Sequence, residues 1–222
     1  GDELVMPGST PGPDQIIASN TFGLKAMLEG LGAQVRILPI ARDSEASLRD
    51  SLASAADADL IVTIGGASVG DYDLVKQVLG GEGMNITFSK VAIRPGKPLI
   101  FGEIHGTPML GLPGNPVSVM VTFYQFVLPA LRQLMGEENW APLRLPARTL
   151  NRLKKRPGRT EYQRGYLVQD ESGDLTVHST GDQGSGILSS MSQANCFIVL
   201  DIDSDGAQVG DMVTVEPFAG LV

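Results

Sequence analysis

The stretch Leu60-Ile61-Val62-Thr63-Ile64-Gly65-Gly66-Ala67-Ser68-Val69-Gly70-Asp71-Tyr72-Asp73 decides the fold. Its first five residues are largely apolar and β-branched, as expected of a strand buried in a parallel sheet. Gly65-Gly66 ends the strand, and Asp73 to Leu79 reads as the helix that follows. A glycine-rich loop at the carboxyl end of a parallel strand is where open α/β sheets bind ligands. Glycines let backbone N–H groups approach a phosphate, and the helix adds its positive end. Gly65, Gly66, Ser68 and Gly70 are therefore candidate binding residues. Asp71 and Asp73 would repel a bare phosphate, but they suit a hard divalent cation such as Mg²⁺ that bridges carboxylate and phosphate. Asp71 equally suits a helix N-cap.

Outward from this stretch, strand and helix signals alternate. Ser19-Asn20 can cap a helix with Leu24, Met27, Leu28 and Leu31 at helical spacing, closed by Gly32 as a C′ glycine. Val35 to Ile40 reads as a strand and Ser44 to Ala56 as an amphipathic helix. Thr87 to Ile93 and Leu99 to Ile104 read as strands, the latter turning through Gly106-Thr107-Pro108 to pair with Met109 to Leu112; the turn rests on Gly106 and Pro108, not on His105. A long helix starts at Pro116 and runs to about Leu134, with Pro129 predicting a kink or break. The pattern predicts a βαβ-rich, three-layer α/β/α domain over 1–142. After Trp140 the helical period is lost. Short strands over Arg144–Leu153, Tyr162–Val168, Leu175–His178, Phe197–Leu200 and Met212–Val215 predict a small all-β, barrel-like domain over 143–222.

Two further segments carry chemistry. Leu112-Pro113-Gly114-Asn115-Pro116-Val117-Ser118 joins an apolar strand to a helix start, where backbone donors and the Ser118 hydroxyl would converge on an anion; it also reads as a rigid turn set by two prolines. In Lys90-Val91-Ala92-Ile93-Arg94-Pro95-Gly96-Lys97-Pro98, strand alternation predicts Lys90 and Arg94 on one side. With Lys97 they make three cations on a stiff segment, suited to a tetrahedral oxyanion. Glu3 and Asp43 are isolated acids that sequence alone does not single out.

Composition bounds the rest. The chain has 222 residues and a net charge of −8, which argues against nucleic acid as the main partner. Charge is uneven: Arg144, Arg148, Arg152, Lys154, Lys155, Arg156, Arg159 and Arg164 face only Glu161 in the same segment, which reads either as a solvated basic face or as an anion site. The single Cys196 leaves no internal disulfide, and two histidines leave little for a histidine–metal centre. Cys196 is expected to be buried. No stretch of eighteen residues is apolar without interruption, so no membrane span is expected. The chain opens on Gly1-Asp2-Glu3-Leu4 with neither initiator methionine nor signal-peptide pattern, and reads as a piece of a longer protein.

Taken together, GDEL at 1–4, Ser19-Asn20, Arg42-Asp43, GGASVGDYD at 65–73, RPGKP at 94–98, GLPGNPVS at 111–118, PGRTEYQRG at 157–165, GDQGSG at 181–186 and NCF at 195–197 resemble the molybdopterin molybdenumtransferase family, the MoeA type also found as the gephyrin E domain. The resemblance covers essentially the whole chain and implies a molybdopterin-binding (MogA-like) α/β fold followed by the family's C-terminal β domain, without two preceding domains. It implies an enzyme that takes adenylylated molybdopterin and molybdate, releases AMP in a Mg²⁺-dependent step and leaves molybdenum on the dithiolene. It implies Glu3, Asp43, Asp73 and Lys90 as catalytic, with Asp43, Asp71 and Asp73 at the metal. Arg94, Lys97, Pro113, Gly114, Asn115, Ser118, Arg164 and Ser185 would join the glycine loop in binding substrate. Some relatives have lysine at position 94, where this chain has arginine, which keeps the charge and changes donor geometry. A cytoplasmic homodimer is implied for the longer protein, with no nucleic acid or membrane partner. The alternatives are a molybdopterin adenylyltransferase, whose family lacks the β domain, a ligand-binding piece without turnover, and a scaffold module.

Overall fold

A computed structural model describes residues 1–66 and 85–218. The expected helix Asp73–Leu79, and Ser68, Gly70, Asp71 and Asp73, lie outside the described residues. Strands in the first half are β1 (Leu4–Val5), β2 (Ile16–Ile17), β3 (Ile61–Ile64), β4 (Asn85–Lys90), β5 (Ile93–Arg94), β6 (Pro98–Ile104) and β7 (Thr107–Leu112). In the second half they are β8 (Leu145–Thr149), β9 (Leu153–Lys154), β10 (Thr160–Gln169), β11 (Leu175–Ser179), β12 (Cys196–Leu200), β13 (Gly206–Ala207) and β14 (Met212–Pro217). The helices are α1 (Asn20–Gly30), α2 (Glu45–Ala53), α3 (Pro116–Leu134) and the single turn α4 (Ser189–Ser192). Two compact units are distinguished, Gly1–Val91 with Pro98–Gly114, and Ala92–Lys97 with Asn115–Val222.

In the first unit a four-stranded sheet has the order β3-β7-β6-β4. β3 and β7 are parallel, Ile61 opposite Met109 through Ile64 opposite Leu112, and the other pairs are antiparallel. One face buries Ile61, Ile100, Ile104 and Met109 against Ala55, with Leu38, Leu52, Ala58 and Ile86 packed around them. The β6–β7 hairpin turns on His105 and Gly106, with φ of 49° and 87°. Two left-handed residues are what a two-residue hairpin of primed type requires. His105 is thus part of the turn, and Thr107 and Pro108 already belong to β7. Gly32, with φ 88°, ends α1 as expected: its N–H donates to the Glu29 carbonyl and that of Ala33 to Leu28. Ser19 makes no side-chain cap. Residues 35–40 form no strand; their N–H and C=O groups find no ladder partner among the described residues.

In the second unit the ring β10-β12-β14-β8-β11 closes through the β11–β10 pairing into a five-stranded barrel. Alternation along the strands sends Ala147, Val177, Cys196, Ile198, Leu200, Val213 and Val215 inward. Burial pushes the Cys196 thiol up to about 12. A Cβ at Gly165 would come within 3.0 Å of Ile198 and Val177, so β10 needs glycine there. The few aromatic residues concentrate outside this barrel. Tyr124 of α3 stacks on Phe218 at 5.0 Å and meets Phe197 edge-on at 5.5 Å, and Tyr162 meets Phe197 at 6.0 Å. Each such pair contributes about 0.5–1.5 kcal/mol beyond area burial. This packing groups α3 with the barrel in one compact unit. Below it, Glu216 is 3% exposed and accepts from Gln125 Nε2 at 2.6 Å and Arg144 Nε at 2.9 Å.

Pro129 does not break α3. Residues Phe123–Val127 adopt a π-turn, and the Leu128 N–H donates five residues back to the Phe123 carbonyl. The wider turn absorbs the bond that proline cannot make. By length and composition alone α3 could cross a membrane, with 19 residues and a window hydropathy of 1.2. It is a core helix: Val117, Val119, Val121, Phe123 and Val127 are all buried.

Gly165→Val is expected to lower stability by about 1–3 kcal/mol through overpacking of the barrel interior. Denaturant unfolding checks it; an unchanged midpoint would show that the barrel has room the packing denies.

Candidate functional site

β3 and β7 run parallel and adjacent, so their carboxyl ends lie side by side. Each ends in one of the glycine corners. Gly65 and Gly66 have φ of 85° and 68°, a path that residues with a Cβ rarely follow. The Gly65 N–H donates to the Leu112 carbonyl at 3.0 Å, tying the first corner to the second. A Cβ on Gly114 would lie 3.8 Å from the Gly65 Cα. Asn20, at the start of α1, donates from Nδ2 to the Gly114 carbonyl at 2.8 Å. Three segments remote in sequence therefore meet. Pro113 is buried, while Gly114 and Asn115 are exposed.

Glu3 and Asp43 also approach through backbone bonds. The Asp2 N–H donates to Asp43 Oδ2 at 3.1 Å, and Arg42 reaches the Asp2 and Leu4 carbonyls at 3.5 Å. Ile16 N–H donates to the Glu3 carbonyl at 2.8 Å, which joins β2 to this turn. The Asp43 side chain is 52% exposed, with Oδ1 3.7 Å from the Gly1 amino group. Among the described residues no group of three His, Cys, Asp or Glu side chains converges as a metal site.

The cationic segment differs from its expected form. β4 ends at Lys90, the chain bends at Ala92, and Ile93–Arg94 is a separate strand paired with Thr160–Glu161 of β10. Alternation therefore does not carry from Lys90 to Arg94, and the expected strand Thr87–Ile93 is two pieces. Arg94 Nη1 lies 3.4 Å from Glu161 Oε2, so its charge is partly offset. Lys90 and Lys97 are exposed. Gly96, with φ 106°, backs onto α3, where an added Cβ would lie 2.8 Å from Thr122 Cγ2.

In the second unit the 181–186 loop meets the start of α3. The Val117 N–H donates to the Ser185 carbonyl at 3.1 Å, and Asn115 Nδ2 to Ser185 Oγ at 3.3 Å. Ser118 is 4% exposed in the first turn of α3. One of the helix-start N–H groups expected to face an anion is thus taken by Ser185.

Arg164 departs from its expected role. It is 1% exposed, and its guanidinium donates to Ser190 Oγ at 3.0 Å, the Gly184 carbonyl at 3.1 Å and the Asp182 carbonyl at 3.4 Å. Burial pushes it down to about 10. In this position Arg164 holds the loop that carries Ser185. Other cations of the basic segment are likewise structural: Arg144 serves Glu216, Arg148 the Gly210 carbonyl, and Lys155 the carbonyls of Arg156, Ile202 and Ser204. Arg152, Lys154, Arg156 and Arg159 are exposed, as in a solvated basic face.

Two clefts lie elsewhere. One of about 300 Å³ is lined by Arg152, Lys154 and Lys155 with Asp205 and Asp211, and one of about 560 Å³ by Val5, Met6, Ile37, Leu38 and Arg42. Neither includes Gly65, Gly66 or Gly114, where two glycine corners meet at the ends of adjacent parallel strands, the place at which open α/β sheets bind ligands. Sequence reading missed Asn20 as a tie to Gly114, and missed Gln183 and Ser190. Asn20 and Gln183 lay inside quoted motifs, but their partners are 94 and 19 residues away.

The comparisons with known proteins agree with this layout. Residues 1–133 match the family described as "Probable molybdopterin binding domain", and residues 146–218 match the MoeA C-terminal region, domain IV. The molybdopterin molybdenumtransferase of Haemophilus influenzae is 42% identical over 100% of this chain and 55% of its own length. Gephyrin of Dictyostelium discoideum is 36% identical over 88% of this chain and 30% of its own. The crystal structure of the molybdopterin biosynthesis MoeA protein from Pyrococcus horikosii superimposes with a TM-score of 0.81 at 29% identity, over 97% of this chain and 52% of that one. The chain thus spans about half the length of the curated molybdenumtransferases it matches. On these matches the chain belongs to the molybdopterin-binding domain family, in the branch whose members continue into the MoeA C-terminal region.

Proposed function

We propose that this chain is the molybdopterin- and molybdate-handling part of a molybdopterin molybdenumtransferase. The observation that carries the reading is the pairing of the two glycine corners, Gly65-Gly66 and Gly114, at the ends of adjacent parallel strands, in a chain that also has the MoeA C-terminal region. That second match speaks against the adenylyltransferase alternative.

In this reading the exposed backbone around Gly65, Gly66, Gly114 and Asn115 holds the phosphates and pterin of adenylylated molybdopterin. Lys90, Arg94 and Lys97 supply positive charge for molybdate, a doubly charged tetrahedral oxyanion. Arginine at position 94 brings a planar fork, and its Glu161 partner keeps that fork oriented. Ser118 and Ser185 are further candidates to bind the anion, and Glu3 and Asp43 are the acidic candidates that the family resemblance names. The dithiolene sulfurs serve as ligands of the incoming molybdenum, which makes the buried Cys196 irrelevant to the chemistry.

Mg²⁺ belongs to the proposal. The half-exposed carboxylate of Asp43 is a hard oxygen donor of the kind the ion takes, with Asp71 and Asp73, outside the described residues, completing the set. Bound there, the ion would neutralise phosphate charge as AMP departs. The longer protein would act as a cytoplasmic homodimer, with the missing part contributing to full turnover.

The assay is AMP release by the full-length parent, supplied with adenylylated molybdopterin, Mg²⁺ and molybdate. AMP formation that requires all three supports the reading; its absence overturns it, and consumption of ATP with free molybdopterin would favour the adenylyltransferase. Lys97→Ala is expected to weaken molybdate binding on the order of tenfold, or ~1.5 kcal/mol for a lost charge-assisted hydrogen bond, while AMP binding changes less. Calorimetric titration of each ligand checks it, and equal losses would remove Lys97 from the oxyanion site.

A further inference from the structure

We infer that Gln183 is a positioning residue for the proposed reaction, acting through Arg164 to set Ser185 against the start of α3. This rests on the molybdenumtransferase reading for its consequence, but not for its geometry.

The device is reciprocal. Gln183 uses its side-chain amide to hold the backbone of Arg164: Oε1 accepts from the Arg164 N–H at 2.7 Å, and Nε2 donates to the Arg164 carbonyl at 3.2 Å. An amide that both accepts and donates in this way does what a neighbouring strand would do for β10. Arg164 in turn uses its side chain to hold the backbone on either side of Gln183, at the carbonyls of Asp182 and Gly184. Two residues 19 apart each clamp the other's main chain.

The surroundings leave little slack. Nε of Arg164 donates to Ser190 Oγ, and that hydroxyl donates onward to the Ile187 carbonyl at 2.6 Å. Nε2 of Gln183 also reaches Ser179 Oγ at 2.9 Å and the Gly181 carbonyl at 3.2 Å. The Gly184 N–H is taken by Asp182 Oδ1 at 2.9 Å. Arg164 and Ser190 are buried, whereas Gln183 and Gly184 are half-buried and Asp182 is exposed. The enclosed guanidinium favours the one loop conformation that meets its donors, because a departure would leave them unpaired away from water.

The next residue is Ser185. Its carbonyl takes the Val117 N–H and its hydroxyl the Asn115 amide, so the clamp is transmitted within two residues to the anion-loop end of α3. Loosening Gln183 would free Ser185 and change the donors at that helix start without touching a substrate.

The test uses Gln183→Met and Gln183→Glu in the full-length parent. Met keeps the length and loses all four hydrogen bonds of the side-chain amide. Glu keeps the acceptor for the Arg164 N–H and turns the donor into an acceptor facing the Arg164 and Gly181 carbonyls. Amide hydrogen exchange at Val117 is expected to speed up at least tenfold in both, with the thermal midpoint nearly unchanged. The KM for molybdate should rise about tenfold while kcat falls less than threefold. A role in filling space alone would leave Met like the unchanged protein and overturn the inference. So would unchanged exchange at Val117. If the Gln183 variants do not fold, Ser190→Ala, which removes one acceptor of the Arg164 guanidinium, is expected to give the same exchange signature. The exchange measurement needs no turnover, so failure of the clamp and failure of the transferase reading, seen as no AMP from the unchanged parent, are separate results.

Discussion

The parallel pairing of β3 with β7 is the constraint on which the candidate site depends. Strand alternation and a buried face fix the register, because a slip of one residue would turn Ile61 and Met109 out of the core they share with Ile100 and Ile104. With register set, the two strands end together, and the residues following each must turn away at the same place. The backbones of Gly65 and Gly114 then lie in van der Waals reach of each other, a Cβ on Gly114 coming 3.8 Å from the Gly65 Cα. The meeting of the two glycine corners follows from sheet geometry before any side chain is considered.

The second unit solves a different problem. A five-stranded ring has no room for a large side chain at every inward position, and Gly165 marks where two neighbouring strands take the space. Directly before it, Arg164 points away from the interior into a polar enclosure. A fully enclosed guanidinium is costly unless each donor is met. Here the carbonyls of a loop meet it, and the cost of a buried cation becomes order in the 181–186 segment. The same segment carries Ser185. Stability and site geometry thus share one residue, which is why Arg164 is read as holding the site.

Much of this was legible in the sequence. The run Leu60–Ile64 with its glycines announced a strand and a corner, and GLPGNPVS announced another, since both rest on local chemistry: β-branched apolar residues, glycine freedom and proline at a helix start. Gly32 as a helix end and the barrel strands were legible for the same reason. Elements that need distant partners were not. Residues 35–40 have strand composition but no ladder partner among the described residues. Lys90 to Arg94 look like one strand, yet Arg94 pairs with Glu161, far along the chain. Pro129 looks like a break, and the π-turn before it absorbs the missing bond.

By itself, then, the amino-acid order determined most of the strands and helices and both glycine corners, and through its motifs the family to which they belong. Only the tertiary structure decided which corners would be neighbours, that Arg164 would be enclosed and not exposed, and that Ser185 would occupy an amide at the start of α3. The physical reason is that backbone propensity is a property of a few adjacent residues. Burial of a charge, pairing of a strand edge and possession of a hydrogen bond depend on groups that only folding brings within 3 Å of each other.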